Sequence, residues 1–469
     1  MTSASAGARK VPAYGVPTII VAQFVPTFLA GGITLALPPM GVDLQAGASA
    51  LGLVESLYLA GTVSMLLPSG RLCDATDKAT LYKYGMLAFA LTTALIGMLS
   101  SVPLILFLRL IEGMCAALVA VAGPALLSEF VPPERRGRVF GLMLSSVYAG
   151  LTLGPVATGW LVDHWGWRGA FLGCAAAIFV AFLLAVRLPA AWRRPARDAL
   201  HLPSTLLLVL AMVVLVLGAA GLNYGFTGWT VLAIGVLLAG VFVAWQTKLA
   251  APVLDVPLLA ANPGLARALL VQVLVYVNPM CMAFFMTLYI QVTRDQSAQF
   301  AGQLLAFGSV VMICIAPQAG ALADRVRPAV IATTGVAFTA AGAAIAAFLD
   351  ENSSMIQVMA ALVIQSIGFA LFSSPNLTMV MNSVSREKSS TAAALTAKAR
   401  SLGMLAGMTI SAALVAIFLG NAPVEREPLG ILQPMTLGFT IMALLTGAGV
   451  FIGSRGQRIG QQTAEAARR

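Results

Sequence analysis

Hydrophobic positions fall along this chain in long unbroken runs rather than in the stripes or alternations of soluble domains. Fourteen runs cover roughly residues 16–39, 48–69, 80–100, 103–128, 138–162, 169–187, 203–221, 228–247, 267–290, 300–319, 329–348, 355–380, 391–419 and 432–453. Each approaches the ~20 residues that a helix needs to cross the hydrocarbon of a bilayer. Polar residues gather in the short stretches between runs, so the pattern predicts an all-α polytopic membrane protein with fourteen spans. The first run follows Arg9 and Lys10 and superficially resembles a secretory leader. It exceeds the ~7–15 residues of a leader's apolar region and lacks a convincing cleavage site, so it reads as a retained span.

The runs repeat. Gly70-x-Leu72-x-Asp74 follows the second run, with Gly85 eleven residues beyond, and Gly320-x-Leu322-x-Asp324 follows the tenth, with Gly335 eleven beyond. The constant offset of 250 positions predicts two related halves of six spans, the parallel-repeat arrangement of many transporters. Eight runs lie between the two copies, which reads as six plus an inserted pair. The expected division is an N-terminal segment 1–15, a first half 16–188, a linker with spans seven and eight 189–250, a second half 251–454 and a tail 455–469.

Span five reads Gly141-Leu-Met-Leu-Ser-Ser-Val-Tyr-Ala-Gly150-Leu-Thr-Leu-Gly154-Pro155-Val-Ala-Thr-Gly159. Glycines at this density let another helix approach closely, and Pro155 bends the span near its middle. Such a face suits two halves that rock against each other, and Gly403 and Gly407 in span thirteen form a second small-xxx-small face. The full spacing resembles the antiporter motif in the fifth helix of major facilitator superfamily drug exporters, with Thr158 where that motif usually has another glycine. The loop from Gly70 to Tyr82 is similar to the family's cytoplasmic signature, with Asp77 in place of the usual glycine. The whole chain thus resembles the fourteen-span drug:proton antiporters. That resemblance implies alternating access by two six-helix halves plus two inserted central helices. It makes Gly70, Asp74, Lys78, Gly320, Asp324 and Arg325 gating-loop residues, with Asp74 locking one conformation through Arg71 or Lys78.

Composition agrees with the pattern. The chain is 59% hydrophobic and 10% charged, with a mean hydropathy of +0.91, too little charge to cover a soluble surface. A net charge of +10 invites a nucleic-acid reading. The Lys and Arg residues collect in alternate loops instead, Lys398 and Arg400 counted among them. That is the positive-inside distribution, and it places both termini in the cytoplasm of a bacterial inner membrane. Five cysteines without CxxC spacing and two histidines (His164, His201) in loops offer no metal site. Without HExxH or GxSxG, no enzyme constellation is present.

An ionisable group inside hydrocarbon marks a functional site by default. Away from helix ends there are three: Glu55 in span two, and Arg109 and Glu112 in span four. Arg109 and Glu112 share a face at i,i+3 and resemble the family's fourth-helix motif, in which an arginine precedes a usually amide residue and a glycine. Glutamate at the amide position adds a titratable group, so Glu112 is a candidate proton carrier, and a static ion pair is the alternative. Glu55 reads either as a second protonation site or as a carboxylate snorkelling to the headgroups. Span one has no acid, which argues against dicationic substrates and is easier to match with neutral, zwitterionic or weakly anionic amphiphiles.

In the family fold, helices one, four, nine and twelve line the cavity. The candidates there are Gln23, Thr27, Gln272, Tyr276, Asn278, Met282, Gln365, Phe369, Phe372 and Asn376, amides and adaptable apolar groups. The expectation is a monomeric, proton-driven antiporter in the lipid bilayer exporting lipophilic small molecules, with the proton gradient in place of any cofactor. The alternative is a proton-coupled uptake symporter or facilitator on the same fold.

Overall fold

The computed structural model describes residues 14–131, 133–188, 201–249, 259, 261–323, 325–383, 389–420, 422 and 428–466. Asp324 and the side chain of Asp74 lie outside the described residues.

The described chain is helical from end to end. The helices are α1 (Gly15–Leu44), α2 (Ala48–Ala75), α3 (Lys78–Met98), α4 (Val102–Phe130), α7 (Leu202–Ala220), α8 (Phe226–Gln246) and α9 (Pro263–Leu288). Then come α10 (Ala298–Ala323), α11 (Pro328–Ala347), α12 (Met355–Asn382), α13 (Ser389–Leu419) and α14 (Leu432–Ala466). Between α4 and α7 a single helical stretch, Pro133–Val186, runs for 54 residues. At ~1.5 Å per residue it is far too long for one crossing. Gly166, with φ 70° and ψ 176°, breaks it. That conformation is open to glycine and costly for residues with a Cβ, so the chain reverses at one residue into α5 (133–165) and α6 (167–186). Thirteen helical stretches are long and apolar enough to span, and this break makes fourteen. The pattern predicts a loop of several residues here; one glycine performs the turn.

Local sequence starts the helices as expected from capping chemistry. The Asp77 carboxylate accepts the Thr80 amide at 2.9 Å and caps α3, the Asn262 side chain caps α9 before Pro263, and Ser354 with Gln357 forms a capping box on α12.

Helices α1–α6 pack among themselves, as do α9–α14, giving two halves. In the first half α1 lies on α5 and α2 on α4; in the second α9 lies on α13 and α11 on α12. The halves meet along two seams, α5 with α10 and α2 with α13. Helix α7 packs against both α2 and α13, and α8 packs on α7, so the extra pair sits outside the second seam.

Glycines decide how close these helices come. A Cβ on Gly150 would lie 2.3 Å from Thr27 Oγ1, and one on Gly154 would lie 2.5 Å from the Phe28 carbonyl. Both contacts are with α1 of the same half. Gly403 and Gly407 make the matching approach to Val273 and Val277 of α9. The sequence expectation that the glycine face of α5 meets the other half is therefore corrected for Gly150 and Gly154. Only the far end of the motif crosses the seam. A Cβ on Gly159 would lie 2.5 Å from the Ala298 carbonyl, and one on Gly302 would lie 2.2 Å from the Pro155 carbonyl. Gly141 lies within α5 with nothing further described of its surroundings.

Candidate functional site

Three charges meet inside the first half. Arg109, Glu55 and Glu112 are 1%, 1% and 0% exposed. The Arg109 guanidinium donates from Nη1 to Glu112 Oε2 at 2.5 Å, from Nη2 to Glu55 Oε2 at 3.2 Å and from Nε to the Val54 carbonyl at 2.9 Å. Thr93 of α3 donates to Glu112 Oε1 at 2.5 Å. The guanidinium also stacks over the Tyr58 ring, 4.5 Å from its centroid, with Phe171 of α6 at 6.0 Å. One residue beyond Glu112, Gly113 lets the α2 backbone approach, since a Cβ there would lie 2.0 Å from the Tyr58 carbonyl.

This arrangement settles two open points. Glu55 does not snorkel; it is buried and bound to Arg109. The cluster lies between α2, α3, α4 and α6, within one half rather than on the seam between halves. With both carboxylates ionised the group carries one uncompensated negative charge, and Glu55 Oε1 is buried without a hydrogen-bond partner among the described residues. One proton makes the cluster neutral. In hydrocarbon, where an unpaired charge is costly, such a cluster is a natural place to hold one.

The second half answers with amides in place of ions. Asn376 Nδ2 donates to Gln272 Oε1 at 2.9 Å, and Gln272 Nε2 donates to the Thr396 carbonyl at 3.0 Å, tying α12 to α9 and α13. Gln365 Nε2 donates to Asn278 Oδ1 at 2.9 Å. Tyr276 and Phe369 pack edge to face with centroids 4.8 Å apart. Phe372 and Met282 are buried at 1% and 2% exposure. In the first half Gln23 Nε2 donates to the Val119 carbonyl of α4 at 2.9 Å, while Thr27 bonds back to carbonyls of its own helix. The amide candidates are thus brought together as braces between helices. Thr27, Tyr276 and Phe369 are the half-buried members of the set, and the rest are buried.

At the loop between α2 and α3, Lys78 forms an ion pair with Glu129 at the end of α4. Lys78 therefore has a partner within its own half, while its expected pairing with Asp74 falls on a side chain outside the described residues. Gly70 has open space where a Cβ would sit, and Gly320 meets only the Ser374 hydroxyl at 3.3 Å. We call this the basic end, after Arg71, Lys78 and Lys83.

Among the described residues, the opposite end, where α1 finishes and α2 begins, holds the hydrogen bonds that join the halves. Asp163 at the end of α5 accepts the amides of Ala298 and Gln299 at 3.1 and 2.9 Å, so its carboxylate sits on the first turn of α10. Gln291 Nε2 donates to the Leu35 carbonyl at 3.2 Å, and the amides of Ala48 and Ser49 donate to the carbonyls of Ala422 and Gly420 at 3.1 and 3.3 Å. Nearby, Asp43 binds Arg168 and accepts the Trp167 indole N–H at 3.0 Å. Sequence reasoning missed Asp163. A carboxylate just past an apolar run signals only a helix end, and its partner lies 135 positions away.

Two bundles of six helices with a closed far end and a buried ion cluster in one bundle define a membrane transporter. The Major Facilitator Superfamily pattern matches residues 19–408 and again 268–459, and the chain belongs to that family of transporters, which are not enzymes. Among curated relatives it is 24% identical over 392 residues to the riboflavin transporter RibZ of Clostridioides difficile, covering 83% of this chain and 85% of that one. It is 24% identical over 409 residues to the multidrug efflux pump LfrA of Mycolicibacterium smegmatis, covering 86% and 80%. The fold matches the bacterial homologue of the human lysosomal transporter Spinster in its inward-facing, unoccupied conformation. There the TM-score is 0.71 at 14% identity, over 95% of this chain and 97% of the other.

Proposed function

We propose that the protein is a proton-driven antiporter that exports lipophilic small molecules across the bacterial cytoplasmic membrane by alternating access. The observation that carries this reading is the buried Arg109–Glu55–Glu112 cluster, in which two carboxyl groups share one guanidinium. A proton arriving on either carboxylate releases one of the two arms that Arg109 extends between α2 and α4. Substrate and proton then favour different arrangements of the halves, and coupling follows from that differential affinity. The efflux relative LfrA supports the direction.

In this reading the chain is a monomer with the basic end and both termini in the cytoplasm, as the positive-inside rule requires. The sealed end then faces outward, the state that loads substrate from the cytoplasm and the inner leaflet. Asp74, Asp324 and Arg325 act in the gating loops, and Tyr276 and Phe369 contact substrate.

The test is substrate-triggered collapse of a pre-formed pH gradient in inverted vesicles. Wild type is expected to respond to an amphiphilic substrate, Glu112→Gln to lose the response, and Glu55→Gln to lose most of it. Proton movement that survives both substitutions overturns the assignment of the carrier. The riboflavin-transporting relative RibZ favours a second reading, uptake of a small organic molecule. Accumulation of labelled riboflavin by whole cells, abolished by an uncoupler, would establish that reading instead.

A further inference from the structure

Lys398 is a buried lysine that no described acidic side chain balances. It lies three residues inside the apolar span Leu395–Leu419, it is 7% exposed, and its Nζ has no hydrogen-bond partner among the described residues. Sequence reasoning counts it with the loop cations, where it would be solvated; the structure buries it instead. A lysine this near a helix end normally snorkels to water, but here the ammonium itself is inaccessible.

No acidic side chain within a span is free to pair with it. The apolar spans contain four acids, Asp43, Glu55, Glu112 and Asp163, all in the first half. Asp43 binds Arg168 and Trp167, Glu55 and Glu112 bind Arg109, and Asp163 binds the first turn of α10. The apolar spans within α7 to α14 contain none, the last of them ending at Ser454. Isolated buried ammonium groups are rarely tolerated without a counter-ion.

Its direction follows from α13. Gly403 and Gly407 face Val273 and Val277 of α9, while Ala412 faces Gly52 of α2 across the seam. With ~3.6 residues per turn, Lys398 lies about 40° from Ala412 and at least about 140° from the glycine face. It is therefore turned toward the other half, some ~21 Å from the sealed Gly52–Ala412 contact toward the basic end. Thr409, about 20° away on the same face, also holds a buried hydroxyl without a partner.

We propose that Lys398 anchors an anionic group of the transported molecule, which makes the substrate class an amphiphilic organic anion, a carboxylate or phosphate on an apolar body. This rests on the exporter reading above for its transport step but not for its binding step. The ligand supplies the counter-ion that no described side chain provides, and the empty state keeps a buried cation turned toward the seam.

The experiment uses purified full-length protein as wild type, Lys398→Gln, Lys398→Arg and Asp74→Asn. Equilibrium binding of carboxyfluorescein and pyrenedodecanoate is read by fluorescence polarisation, and transport of the same anions and of cationic rhodamine 6G is read in proteoliposomes. The expected result is at least a tenfold loss of anion affinity in Lys398→Gln, most of it recovered in Lys398→Arg, with rhodamine 6G handled as by wild type. The thermal midpoint of Lys398→Gln should equal or exceed that of wild type, because a buried charge is removed and no hydrogen bond or ion pair of a described residue is lost; a large fall would show a structural role and overturn the assignment. Unchanged anion binding in Lys398→Gln, or none in wild type, also overturns it. Equal losses for anions and rhodamine 6G, matched by Asp74→Asn, would make Lys398 a lock between halves and overturn it too. If wild type binds the anions through Lys398 yet transports nothing, the exporter reading fails while the anchor stands.

Discussion

Arg109 spends three N–H directions on three acceptors, Val54, Glu55 and Glu112, from two helices. A lysine offers a point charge where this planar fork is needed, so Arg109→Lys is expected to lose stability and activity together. Arg109→Met leaves two carboxylates facing each other in hydrocarbon and should cost about 3–5 kcal/mol, read as a lowered thermal midpoint in detergent. The neutral triple variant Arg109→Met, Glu55→Gln, Glu112→Gln should recover most of that stability and none of the proton coupling. A triple variant as unstable as Arg109→Met alone would show that the cluster holds the half together by geometry rather than by charge balance.

At the scale of the helix, α5 divides its glycines between two tasks. Gly150 and Gly154 seat it on α1, while Pro155 and Gly159 meet α10. Gly150→Val should therefore damage folding of the first half. Gly302→Val should instead force the sealed end open, because its Cβ would lie 2.2 Å from the Pro155 carbonyl. Alkylation of a cysteine introduced by Ala412→Cys reads the difference, with faster labelling expected in Gly302→Val. Asp163→Asn removes a full charge from the first turn of α10 and should raise the same labelling rate about two- to five-fold, the population shift of ~0.3–1 kcal/mol that a helix terminus supplies. No change in labelling would mean that the bonds of Gln291, Ala48 and Ser49 hold the end closed without Asp163.

Over the whole molecule the two halves carry unlike chemistry on like scaffolds. The first buries ions, the second buries amides and one unpaired lysine. Because α7 touches both α2 and α13, the inserted pair bridges the second seam. The membrane class, the fourteen crossings and the doubled architecture were legible in the chain itself. Apolar run length reports directly on bilayer thickness, and a repeated loop motif reports on duplication whatever the packing. The meeting of Arg109 with Glu112 was legible for the same local reason, since three residues along a helix share a face. What the tertiary structure alone decided is every partner across helices: Glu55 on Arg109, Lys78 on Glu129, Asp163 on α10, and the burial of Lys398 without a counter-ion among the described residues. Sequence spacing fixes direction around one helix axis but says nothing of which helix stands opposite, and in a membrane bundle that neighbour determines whether a charge is paired, solvated or left waiting for a ligand.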